Sequence, residues 1–215
     1  MRSTVPVLAA LALALTACDP NALGTGGTSV PAPAPGAPGD HAAQLAALGQ
    51  PQPEDTGAHY DRKAWGEWAY DSASKCNTRE QILVRDGDGE VVDGQCKPTC
   101  PKDFCWTSRY DGVTTKDPSA LQIDHIVPIA EANRSGARNW TAPQRAAYYN
   151  DPANLVAVTA RSNQSKSDGD PGKWSPTQGY WCDYATGYIA VKVKYKLTVD
   201  DAELAGLTKM LATCP

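Results

Sequence analysis

The apolar and polar positions of this chain divide it into four stretches. Val5 to Leu15 is apolar behind a single charge, Arg2. Residues 19–56 carry Pro, Gly, Ala and Thr with no sustained period. From Tyr60 to Pro118, short apolar patches are cut by Gly and Pro. From Leu121 onward the patches lengthen into runs with the periods of strands and helices.

Each run predicts an element. Asn77 or Thr78 caps a short helix carrying Ile82, Leu83 and Arg85. Asp86-Gly87-Asp88-Gly89 is a turn without the spaced ligands of a calcium loop, and Val91 to Cys96 reads as a strand. A loop-rich, disulfide-pinned stretch follows, with one short strand or a hairpin near Trp106 to Val113. Leu121 to Pro128 is short, β-branched and closed by proline, so a strand is expected. A turn or helix starts at Ile129, and Thr141 caps a second helix to about Asn150. Asn154 to Val158 is another strand. Thr159 or Ser162 then caps a polar helix that holds Asn163 and Lys166. The Val/Lys alternation at 191–194 suits a strand, but Tyr184, Tyr188, Val191 and Tyr195 make a helical stripe, and a helix is expected on that spacing. Asp200 or Asp201 caps a last helix bearing Leu204, Leu207 and Leu211. The aromatic residues Tyr60, Trp65 and Trp68 are expected to pack on the core. No internal repeat is visible.

Composition then sets the compartment. The first 17 residues have the form of an export signal, too short to span a bilayer. Leu15-Thr16-Ala17-Cys18 resembles a bacterial lipobox, which would make Cys18 a lipidated first residue and anchor the protein to the cell envelope. Residues 18–56 are expected to be a tether that buries too little apolar surface to order itself. Residues 57–215 are long enough for one core. The formal charge of −4 becomes −5 without Arg2, and −1 once Asp19, Asp40, Glu54 and Asp55 are also set aside. That balance does not advertise nucleic-acid binding by net charge, and no recognition helix or array of basic residues argues for sequence reading. Setting Cys18 aside leaves six cysteines, an even set that points to disulfides in an exported chain. The neighbouring pairs Cys76–Cys96, Cys100–Cys105 and Cys182–Cys214 are expected. A zinc site from Cys96, Cys100 and Cys105 lacks CxxC spacing and a nearby histidine.

The chemistry concentrates in Asp124-His125, Asn154, Asn163 and Lys166. Phosphodiester hydrolysis needs a base for water and a cation on the phosphoryl oxygens. An imidazole titrates near neutrality, so His125 suits the base. Asp124 and Asn163 offer oxygen ligands for one divalent metal, Mg²⁺ or Mn²⁺. Neighbouring strand residues point to opposite faces, so Asp124 and His125 can share a site only where the strand ends or bends. Lys166 and Arg161 are candidate contacts to substrate phosphate. Arg79 is either a phosphate contact or half of a structural ion pair. Glu131 and His59 are expected to have no catalytic part.

Asp124-His125-Ile126-Val127-Pro128, then Asn154-Leu155-Val156-Ala157-Val158, then Asn163-Gln164-Ser165-Lys166 resembles the HNH nuclease motif. Cys76 to Arg79, Ser135 to Trp140 and Tyr180 to Cys182 resemble a group of exported bacterial HNH proteins. The resemblance implies an α+β fold, the ββα-metal core, here with flanking helices and disulfide-pinned loops. It implies His125 as general base, Asp124 and Asn163 as metal ligands, and Asn154 as the residue that orients the loop or the base. The implied products are 5′-phosphate and 3′-hydroxyl ends. The 28 residues between His125 and Asn154 depart from the compact motif. The expected activity is endonucleolytic cleavage of DNA, or of RNA, with little sequence preference and no obligate protein partner. Two competing readings remain: a non-catalytic module that captures nucleic acid or a partner on a degenerate HNH fold, and a disulfide-stapled structural lipoprotein.

Overall fold

A computed structural model describes residues 41–57 and 60–215. The export signal, Cys18, the proline-rich part of the tether and His59 lie outside the described residues. Helix α1 (His41–Ala47) sets Leu45 and Leu48 against the main core. The following segment is bonded to the domain: the Gln52 N–H donates to the Val199 carbonyl (2.7 Å) and the Asp55 N–H to the Arg134 carbonyl (3.0 Å). Glu54 pairs with Arg134 and Lys173. Residues 41–56 were expected within the tether and instead are bonded to the folded body. Two leucines and two acids are enough to seat them, because the core and the cations they need come from elsewhere in the chain.

A single 3₁₀ turn, Arg62–Trp65, follows, capped by Asp61 and anchored by Trp65, which is 2% exposed. Strands β1 (Tyr70–Asp71) and β2 (Cys76–Asn77) pair and lead into α2 (Thr78–Asp86). The start of α2 is set by a reciprocal cap. The Asn77 side chain accepts from the Glu80 N–H (3.0 Å), and the Glu80 carboxylate accepts from the Asn77 N–H (2.8 Å). Two short antiparallel ladders come next, β3 (Val91–Val92) with β4 (Pro98–Thr99), and β5 (Trp106–Thr107) with β6 (Thr114–Thr115). The strand expected over Val91 to Cys96 stops at Val92, because Asp93 turns the chain by accepting from the Gln95 and Lys97 N–H groups. Disulfides join Cys76 to Cys96, Cys100 to Cys105 and Cys182 to Cys214, the neighbouring pairs. All three cysteines of the zinc alternative are therefore oxidised.

Strand β7 (Leu121–His125) pairs antiparallel with β8 (Leu155–Thr159), with Ile123 opposite Ala157 and His125 opposite Leu155. Between them lie α3 (Ile129–Arg134) and α4 (Ala142–Tyr149); after them α5 (Ala160–Lys166) packs on both strands. The hairpin is covered on both faces. Leu155 and Ala157 join Leu121, Ile123, Ile82, Leu83 and Trp106 in one cluster, while Val156 and Val158 enter the main core. That is why β8 reads as a continuous apolar run rather than an alternating one. The main core is closed by α6 (Trp181–Tyr195) and α7 (Asp201–Leu211), the latter capped by Asp200. The stripe Tyr184–Tyr188–Val191 is buried, so the helical spacing prevails over the Val/Lys alternation. The fold is α+β, helices with small antiparallel sheets and three disulfides. Among the described residues, no helix is long and apolar enough to cross a membrane.

Candidate active site

The strand carrying Asp124 and His125 ends at His125, and Asn154 ends it. The Asn154 carbonyl accepts from the Ile126 N–H (2.8 Å). Its side-chain oxygen accepts from the Val127 N–H (2.8 Å), and its amide donates to the Val127 carbonyl (3.3 Å). Asn154 is fully buried, so these bonds fix the bend rather than decorate it. The bend lets two consecutive side chains, Asp124 and His125, line one cleft.

The imidazole of His125 is oriented by groups distant in sequence. Its Nε2 lies 2.9 Å from the Tyr149 carbonyl oxygen. A carbonyl can only accept, so Nε2 carries the proton. Nδ1 keeps its lone pair, with no partner among the described residues. Trp68 and Tyr148 lie nearly parallel to the ring, at 5.9 and 6.2 Å between centroids. Burial among them pushes the His125 pKa down to about 3; the Tyr149 bond opposes this, and the charges of Arg62 and Lys166 add to it. The ring is neutral at neutral pH, the state a proton acceptor needs.

Asp124 Oδ2 accepts from the Tyr110 hydroxyl (2.7 Å) and lies 2.7 Å from Lys166 Nζ. The same ammonium donates to the His125 carbonyl (2.8 Å). Lys166 was expected at the substrate. It is instead wholly buried, because the last turn of α5 faces β7 and aims its side chain beneath the strand. Burial holds its pKa below the ordinary lysine value against the opposing charge of Asp124. Arg79 is also displaced from its expected phosphate role: its guanidinium donates to the Pro118 (3.1 Å) and Leu121 (2.8 Å) carbonyls and secures the entry to β7. Among the described residues it bonds no carboxylate, so the ion-pair reading finds no support there. Arg161 is exposed in the first turn of α5 and does not line the cleft.

The cleft has a volume of about 640 Å³. Asp124, His125 and Asn163 line it together, with Tyr60, Arg62 and Arg134 among the other walls. The Asn163 amide nitrogen donates to Gln122 Oε1 (2.8 Å), which leaves its carbonyl oxygen for another partner. The donor set suits a hard divalent cation: one carboxylate and one amide oxygen, with the remaining positions open to water and phosphate oxygens, as Mg²⁺ prefers. A tighter acidic group, Glu54, Glu131 and Asp170, brings ligand atoms within 4.8 Å of one another. It is matched by Arg134, Lys173 and Lys192 and serves as an ion-pair network.

Sequence reasoning missed Tyr110, Tyr148, Tyr149, Trp68 and Arg62. Tyr148 and Tyr149 end a helix whose cap was legible, but nothing local says that its last carbonyls reach a histidine 24 residues earlier. The other aromatic residues have the composition of ordinary core.

Comparison with known proteins gives the lineage. Residues 100–210 match the family described as GmrSD restriction endonucleases, C-terminal domain. The chain is 45% identical over 158 residues to an uncharacterized secreted protein of the fungus Arthroderma benhamiae, covering 72% of this chain and 76% of that one. No solved structure matches it. The matched segment runs from the Cys100–Cys105 loop to the last helix and so contains Asp124, His125, Asn154 and Asn163. The chain belongs to the family of GmrSD restriction endonuclease C-terminal domains.

Proposed function

We propose that this protein is an exported, metal-dependent endonuclease of the HNH type, acting on DNA, or on RNA, with little sequence preference. The observation that carries the reading is the shared cleft. An imidazole with a free Nδ1, a carboxylate and an amide oxygen open onto one solvent-accessible space at the end of a two-stranded hairpin followed by a helix. In this reading, His125 Nδ1 takes a proton from the attacking water. The water oxygen bonds to phosphorus, the P–O3′ bond breaks, the leaving oxygen takes a proton from solvent to become a hydroxyl, and His125 returns its proton to solvent. Asp124 and Asn163 would hold a divalent ion, which when bound would supply positive charge to the phosphoryl and leaving oxygens. Lys166 and Tyr110 fix the Asp124 carboxylate, and Asn154 fixes the bend that presents His125. Burial above all, with the charges of Arg62 and Lys166 added, makes His125 a weak base in the free protein; an incoming phosphodiester anion offsets those two charges and strengthens it.

The family supports nuclease chemistry in general. The relative named as secreted, together with the three disulfides, supports export. Lipid attachment at Cys18 is our reading of Leu15 to Cys18 and rests on those residues alone. The purified protein should nick plasmid DNA with Mg²⁺ or Mn²⁺ and stop in EDTA. His125→Ala should slow cutting roughly 10²–10⁴-fold, the usual contribution of a general base. Unchanged cutting by that variant would remove His125 from the chemistry. Metal-independent DNA binding without turnover would instead favour the non-catalytic binding module.

A further inference from the structure

The charged side chains that line the cleft are not equivalent. Asp124 is paired with Lys166, and Asp55 with Arg138. Asp168 is paired with Arg134, which also reaches Glu54 (3.4 Å) and Glu131 (3.0 Å). His125 is neutral. Arg62 is the exception: among the described residues, no carboxylate lies within ion-pair distance of its guanidinium.

Its position is nevertheless built. Arg62 opens the 3₁₀ turn whose cap is Asp61, the carboxylate accepting from the Lys63 N–H (2.9 Å). That bond turns the adjacent acid toward the backbone. Trp65 at the end of the turn is buried against Trp140 and Tyr148. The guanidinium lies over the Tyr149 ring at 4.7 Å and donates to the Tyr149 hydroxyl (3.2 Å). The carbonyl of the same Tyr149 holds His125 Nε2. One residue thus sets both the free cation and the base. Stacking on an aromatic face leaves guanidinium N–H groups for an anion, and phosphate matches that fork.

We propose that Arg62 binds a phosphate of the nucleic-acid strand next to the scissile one and is the principal protein cation for the substrate backbone. This rests on the nuclease reading for the identity of the ligand. Because every other cleft charge is already compensated, few phosphates are neutralised on binding. Affinity therefore falls gently with salt, in keeping with a folded body that has no excess of positive charge.

The test is equilibrium binding of a fluorescein-labelled single-stranded 12-mer oligodeoxynucleotide to the full protein in EDTA, over a salt series. Arg62→Ala should lower affinity roughly 10- to 100-fold, the range for losing a charge-assisted hydrogen bond. It should also flatten the log–log salt slope by about 0.7, the share of one phosphate contact on a single strand. Arg62→Lys should retain part of the affinity and all of the slope. Arg62 is exposed, so thermal midpoints should not move. An unchanged slope and affinity in Arg62→Ala, or no binding by the wild type, would overturn the proposal. If binding depends on Arg62 but the wild type cuts nothing with any divalent metal, the clamp stands and the hydrolytic reading falls. If the wild type cuts while Arg62→Ala binds and cuts equally well, the reverse holds.

Discussion

Replacing Lys166 by Met separates a structural lysine from a substrate lysine. Methionine keeps the length and most of the volume, so little cavity forms. What disappears is the 2.7 Å ion pair to Asp124 Oδ2 and the 2.8 Å bond to the His125 carbonyl. Asp124 is left nearly buried, with the Tyr110 hydroxyl as its remaining donor. Removing one partner of a buried pair costs about 3–5 kcal/mol, because the other charge is stranded. Asp124 borders the cleft and can draw in water, so the lower end, about 3 kcal/mol, applies. A solvated, substrate-facing lysine would cost within about 0.5 kcal/mol. Urea unfolding with the disulfides intact reads the difference, and the thermal midpoint should fall by roughly 6–12 °C for a chain of this size. The double variant Asp124→Asn/Lys166→Met removes the stranded charge while the new side-chain amide oxygen still accepts from Tyr110, so it should recover much of the loss. Neither variant should cut DNA. Wild-type stability in Lys166→Met, with only weakened DNA binding, would refute the burial argument and return Lys166 to the substrate.

Three further outcomes are expected. Asn154→Ala should cost about 1–3 kcal/mol by leaving the buried Val127 N–H without an acceptor, and it should also lower kcat; an unchanged kcat would show that the bend does not present His125. Burial pushes Glu203 up to about 7 from its ordinary 4.5, with Lys192 opposing. The folded state therefore holds this proton more tightly than the unfolded chain, and the stabilisation, full below about pH 4.5, is lost as pH rises through 7. Glu203→Gln cannot ionise, so its stability relative to wild type should improve by up to about 3 kcal/mol between pH 4.5 and 8; a difference that stays constant in urea titrations at the two pH values would contradict the shift. Glu54→Ala should loosen residues 48–57 from the domain without unfolding it, seen as faster amide exchange at Gln52 and Asp55; no change there would show that Glu54 does not hold the segment.

Features set by neighbours along the chain were legible before any coordinates. The cap at Asn77, the order strand, insertion, strand, helix, the three disulfides and the helical stripe of α6 each depend on residues within one or two turns or on cysteines that follow one another in the sequence. What escaped depends on direction and on distant partners. Lys166 was placed on the right helix, but spacing alone does not say whether a side chain at the last turn faces substrate or core. Arg79 was expected to be a phosphate contact or half of an ion pair because its actual partners are backbone carbonyls, which carry no mark in the sequence. The tether was drawn too long because two leucines do not make a period, although Leu45 and Leu48 are enough to dock a segment on a core built by others.

The 28 residues between His125 and Asn154 bear on where the imidazole gets its orientation. They contain α4, whose end supplies the Tyr149 carbonyl at Nε2 and the Tyr148 ring parallel to the imidazole. A second parallel ring, Trp68, comes from before β1. The hairpin and α5 therefore contain the reactive groups but not all the means of holding the base: the tautomer is set by the insertion and the flanking rings come from the insertion and the N-terminal segment, while Lys166 of α5 adds its charge to the burial that depresses the pKa. A peptide spanning residues 121–167 with α4 replaced by a short turn should thus keep Asp124, His125, Asn154 and Asn163 and still lack an oriented proton acceptor. The same logic explains why the chain can depart from the compact motif. A longer connection costs little in loop-closure entropy, and here it returns a carbonyl and an aromatic wall to the site.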